Sequence, residues 1–127
     1  RADSNNPAGN RSIEWYRAMF GFEEKVRFHK EDARLHGAML RLGDYGLELF
    51  QPYEAEPLPE SAHSFHGNLQ TLGVKHFALV VPDLDSAYAD LRAKGGELSD
   101  VVSGKTVRYF TVRDPDGIHV EVKQPYR

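Results

Sequence analysis

Lys75 to Ala87 reads K-H-F-A-L-V-V-P-D-L-D-S-A. An apolar run of strand length, Lys75–Val81, stops at Pro82, and Asp83 stands where a helix needs its first free amides capped. Ser86 to Gly95 (S-A-Y-A-D-L-R-A-K-G) continues as that helix. Its Ala87, Tyr88 and Leu91 share one face, and Gly95-Gly96 ends it. Glu97–Val102 and Lys105–Arg113 then alternate as strands, Asp114-Pro115-Asp116-Gly117 is a turn, and Ile118–Gln124 closes the unit. The order is β-α-β-β-β.

The upstream half says nearly the same thing. Ser12 to Gly21 (S-I-E-W-Y-R-A-M-F-G) is again a helical stretch ending at glycine. Gly21 precedes Glu48 by 27 residues, and Gly95 precedes Glu121 by 26. Asn10 is the expected cap, residues 3–10 are loop chemistry, and Ile13, Tyr16 and Phe20 face a sheet. Trp15 and Tyr16 read as core and interface rather than a stacking platform. Phe22–Lys30, Arg34–Leu42 and Leu47–Gln51 follow as strands, with a tight turn over 43–46. This unit shows only α-β-β-β. Matching Val81-Pro82-Asp83 to Arg1-Ala2-Asp3 puts the counterpart of His76 about five residues upstream of Arg1.

Residues 52–72, with prolines, glutamates, Ser, His and Asn, read as an extended linker. The expectation is therefore one α+β domain over 1–127: unit one over 1–51, a linker over 52–72 and unit two over 73–127. Two paired units, the first lacking its opening strand, would form a curled mixed sheet around one shared cavity, since neither buries its apolar face alone.

Bulk composition narrows the chemistry. At 127 residues, 40% hydrophobic, one sizeable core is available. A net charge of −3 offers no basic footprint for nucleic acid. With no cysteine, disulfides, thiolate catalysis and sulfur-ligated zinc are excluded, so a metal must be held by nitrogen and oxygen. The longest apolar run, Phe77 to Val81, is too short to cross a bilayer. A cytoplasmic location, no membrane partner and a small-molecule substrate are expected. An open sheet edge beside the apolar Ile13–Phe20 helix suggests a homodimer.

K-H-F-A-L-V-V-P-D-L-D-S-A, the turn-strand D-P-D-G-I-H-V-E-V and the first-half S-I-E-W-Y-R-A-M-F-G-F together resemble the vicinal oxygen chelate superfamily (glyoxalase, bleomycin resistance protein, extradiol dioxygenase). The resemblance spans essentially the whole chain. It implies a divalent metal between two curled sheets, with ligands from the first and last strand of each unit: His76 and Glu121 from the second, Glu48 from the first. The fourth ligand would lie upstream of Arg1.

The residues themselves lean the same way. Glu48 sits between Leu47 and Leu49, and Glu121 between Val120 and Val122. Strand alternation sends the aliphatic neighbours to the helices and both carboxylates to the opposite face. A buried carboxylate needs donors or a cation, and two at matched repeat positions suggest a shared one. One imidazole and two carboxylates suit Fe, Mn, Ni, Zn or Co. His119 and Lys123 share the face of Glu121. His119 is a candidate for proton transfer or ligand orientation, while Phe50, Phe110 and Arg108 are candidate substrate contacts.

The expected activity is a metal-dependent lyase or isomerase of the glyoxalase type, with Glu121 or Glu48 taking the proton next to a carbonyl. Two glutamates rather than one favour this over extradiol ring cleavage. The alternatives are that dioxygenase chemistry, or a metal-free module that sequesters a drug-like small molecule.

Overall fold

The computed structural model describes residues 7–126, and the side chains from Asn10 onward. The loop expected over 3–6, and the match of Arg1-Ala2-Asp3 to Val81-Pro82-Asp83, lie outside the described residues. The fold is α+β with two sheets, and the chain divides into two compact units, Arg1–Pro57 and Leu58–Arg127.

The first unit is α1 (Pro7–Phe20) followed by β1 (Glu23–Lys30), β2 (Leu35–Leu42) and β3 (Tyr45–Pro52). The strands form an antiparallel sheet in chain order. The helix starts earlier than the sequence suggested: Pro7, whose fixed φ suits a first helical turn, opens it. Asn10 is therefore inside the helix, and its Oδ1 accepts a hydrogen bond from Arg27 of β1 at 2.8 Å. Ile13, Tyr16 and Met19, with Phe22, Ala38 and Leu40, are the buried residues here. Met19 takes the place expected of Phe20. The Tyr16 and Phe22 rings meet edge to face, 5.9 Å apart.

The second unit opens with a 3-10 turn, Glu60–Ala62, and a short helix α2 (Phe65–Leu69). The segment read as an extended linker thus carries structure of its own, and its part from Leu58 onward belongs to this unit. Next come β4 (Phe77–Val80), α3 (Leu84–Ala93), β5 (Glu97–Leu98), β6 (Val102–Ser103), β7 (Val107–Arg113) and β8 (His119–Pro125). The single strand expected over 97–102 is broken into β5 and β6, both paired with β7. β4 lies parallel to β8, which runs antiparallel to β7.

Local chemistry sets these elements. Asp83 accepts from the Ser86 amide (3.1 Å) and hydroxyl (2.8 Å), and so caps α3 as its position suggested. Both longer helices end on a glycine at φ +84°, Gly21 and Gly95, where any side chain would be strained. Gly21 bonds back to Arg17, an αL closure joined by a longer bond from the Phe22 amide to Tyr16; Gly95 and Gly96 bond to Arg92 and Leu91, a Schellman pair. In the β7–β8 turn the Asp114 carboxylate accepts from the Asp116 and Ile118 amides (2.8 and 2.9 Å). That turn sets the register, pairing Thr111 with Glu121 and Arg113 with His119. The helix side of the sheet then buries Phe110, Val112, Val120 and Val122 against Leu84 and Leu91.

Candidate functional site

Register decides which side chains share the other face of this sheet. Glu121 lies between the fully buried Val120 and Val122, so it points away from α3. Its neighbour across the parallel pair is Ala78 of β4. His76, two residues before Ala78, projects to the same side. The result is a direct contact: His76 Nε2 stands 2.9 Å from Glu121 Oε1, with the side chains only 17% and 16% exposed.

His119, two residues ahead of Glu121, is 6% exposed. Neither of its ring nitrogens has a hydrogen-bond partner, and Nδ1 of His76 has none either. Burial, then the nearby Arg113 and His76, hold the His119 imidazole below its ordinary pKa, against a smaller opposing pull from Glu97. It is neutral at neutral pH, offering one donor and one acceptor.

Phe65, the first residue of α2, covers both histidines. Its ring centroid lies 5.2 Å from that of His76 and 5.5 Å from that of His119, edge-on to the latter at 85°. Sequence reasoning missed this residue because 52–72 looked like linker. Ser64, which caps α2 by accepting from the Gly67 amide at 2.9 Å, was the available signal. Beside the covered histidines is a hollow of about 360 Å³ whose walls include Ser61, Asn68, Val74, Ile118 and His119.

Two other candidates of this unit lie on the opposite side of its sheet. Phe110 is fully buried on the helix side and meets Tyr88 of α3 edge to face at 5.0 Å, so it is core, not a ligand wall. Arg108, two residues earlier on that same side, donates to Asp85 of α3 at 3.0 Å. The alternation that aims Glu121 one way sends both of these the other way. In the first unit Glu48 and Phe50 are exposed on the face opposite the buried Ala38 and Leu40. Phe50 packs edge to face on Phe28, 6.3 Å between centroids.

Among the described residues, no three His, Asp or Glu side chains gather as a metal-binding group. The pair in the second unit nevertheless brings together an imidazole and a carboxylate, 2.9 Å apart, donor types that suit a divalent cation. No described helix is long and apolar enough to cross a membrane.

Comparison with known proteins agrees with this architecture. Residues 6–122 match the family model described as Glyoxalase/Bleomycin resistance protein/Dioxygenase superfamily. The chain is 30% identical over 120 residues to the uncharacterized protein YwkD of Bacillus subtilis (strain 168), covering 88% of this chain and 84% of that one. Among solved structures, a glyoxalase family protein from Enterococcus faecalis superposes with a TM-score of 0.75 at 22% identity, over 90% of this chain and 86% of that chain. A glyoxalase I mutant from Zea mays superposes at 0.69 and 22% identity, over 91% of this chain and 42% of that one. At these identities the structural likeness speaks for the fold alone.

Proposed function

Because the chain belongs to the glyoxalase/bleomycin resistance protein/dioxygenase superfamily, we propose that it is a divalent-metal-dependent lyase or isomerase that removes a proton next to a carbonyl of a small substrate. The observation that carries this reading is the half-buried contact between His76 and Glu121, placed on one face by strand alternation and register. Metal-free drug binding would not require an imidazole and a carboxylate brought to bonding distance in a partly desolvated place.

In this reading His76 Nε2 and a Glu121 oxygen would hold the ion, and these nitrogen and carboxylate donors suit Fe, Mn, Ni, Zn or Co. When bound, such an ion polarises the substrate's neighbouring oxygens and stabilises enolate charge. Glu121 would be the base, its second oxygen being free to take the proton. His119, neutral and two residues away, supplies a donor or acceptor to the same substrate group. Phe65 and the apolar stretch around it exclude water. Glu48 enters as a mutational candidate for a further ligand or base. A homodimer and a cytoplasmic location belong to the same proposal.

The test is titration of the purified protein with Mn(II), Ni(II) and Zn(II), followed by calorimetry. Binding of about one ion per chain, lost in His76→Ala and Glu121→Gln, supports the reading. No binding by a folded wild type overturns it. Loss in Glu48→Gln as well would add that residue to the ligand set.

A further inference from the structure

We propose that Phe65 is the residue that closes the His76–Glu121 site to water, and that α2 swings away to admit a ligand with an apolar or aromatic flank. The identity of what is admitted rests on the reading above; the closure itself does not.

Three ring nitrogens are sealed beneath this segment without a partner: Nδ1 of His76 and both nitrogens of His119. Polar atoms are seldom left so unless something else satisfies them at another moment. These nitrogens are shut off from solvent, and the Phe65 ring stands in contact range of both imidazoles. A site that works must therefore open, and α2 is the element built to do so. It is five residues long and buries none of them. Two of its side-chain hydrogen bonds are exposed, from the Gly67 amide to Ser64 Oγ and from Thr71 to Ser61. Segments held in this way open locally at low cost, without unfolding the sheet beneath. A hollow of about 360 Å³ borders His119 and Asn68 of α2, and gives room for a ligand beside the site. Asn68, at the end of α2, donates to the carbonyl of Lys75 at 3.3 Å, so the motion reaches the residue before His76.

An apolar ring is the right cap. It shields the His76–Glu121 contact without competing for either group, and a ligand displacing it must offer comparable apolar surface.

The experiment is carbethoxylation of the whole protein with diethylpyrocarbonate, the rate at each histidine read by peptide mass spectrometry with exposed His29 as reference. In the wild type His119 reacts slowly relative to His29. Phe65→Ala raises the His119 rate by about tenfold or more, Phe65→Tyr restores protection, and Thr71→Ala, which loosens the segment without touching either ring, has a much smaller effect. An unchanged His119 rate in folded Phe65→Ala overturns the proposal. So does an equal rise in Thr71→Ala, which would assign protection to the segment as a whole. The probe needs no metal, so failure here leaves the metal reading standing, and failure to bind metal leaves this one standing.

Discussion

His76 Nε2 lies 2.9 Å from Glu121 Oε1 although 45 residues separate them in the chain. The contact follows from the parallel pairing of β4 with β8, which sets Ala78 beside Glu121 and brings the residue two places earlier into reach. Coordination chemistry and a plain charge-assisted hydrogen bond both suit this geometry. The two make different predictions on substitution.

Glu121→Gln keeps the volume and an acceptor for His76 but removes the charge. If the carboxylate holds a cation, affinity for Mn(II), Ni(II) or Zn(II) falls by at least about tenfold, roughly 1.4 kcal/mol, while the unfolding midpoint without metal moves little. Calorimetry together with thermal denaturation separates the two outcomes. A large loss of stability with unchanged metal affinity would mark the contact as structural.

Phe110 and Phe50 should part company. Phe110→Ala empties a fully buried place against Tyr88 and costs about 3–5 kcal/mol. Phe50 is 53% exposed and keeps only its edge contact with Phe28, so Phe50→Ala costs less than about 1 kcal/mol. Urea denaturation of both variants checks the assignment of one to the core and the other to a surface available for binding.

Gly67→Ala opposes helix propensity to sterics. Propensity favours alanine in a helix by about 1 kcal/mol. A Cβ at this position would lie 2.5 Å from the carbonyl oxygen of Ser61 and 2.8 Å from Ser64 Oγ, and the first of these is backbone. Overpacking of this kind costs about 1–3 kcal/mol, so the clash wins. Hydrogen exchange across 58–72 should speed up in the variant, with β7 and β8 unchanged. Slower exchange would show that the segment relaxes around the methyl group.

Stability should carry a mark of Asp83 at low pH. Hydrogen bonds from the Ser86 amide, then its hydroxyl, hold this carboxyl below the usual carboxylate value. A lowered native pKa favours folding above the unfolded value, about 3.9, and the benefit is lost as pH falls through the native one. Asp83→Asn keeps a capping acceptor without a titrating proton. Its urea midpoint should therefore decline less than that of the wild type below about pH 4. Parallel curves would mean that the cap contributes no titrating charge.

Much of this molecule was legible in order of residues alone. The repeat of a helix, a closing glycine and alternating strands announced two similar units, because a glycine in the left-handed region and a period of two leave a mark in sequence. The Asp83 cap and the direction of Glu121 followed from the same local rules. Arg108 and Phe110 were misplaced because the phase of β7 depends on its turn with β8, where the Asp114 carboxylate gathers two amides. Phe65 was invisible for a different reason: a helix of five residues has too little periodicity to read.

Sequence by itself determined the longer helices with their closing glycines, the Asp83 cap and the alternation around Glu121, all of which depend on neighbours a few residues away. Only the tertiary structure decided that His76 meets Glu121, that Arg108 is spent on Asp85, and that Phe65 lies over two histidines with unsatisfied nitrogens. Those relationships join positions far apart in the chain, and they exist only once strand register and the packing of α2 have been set.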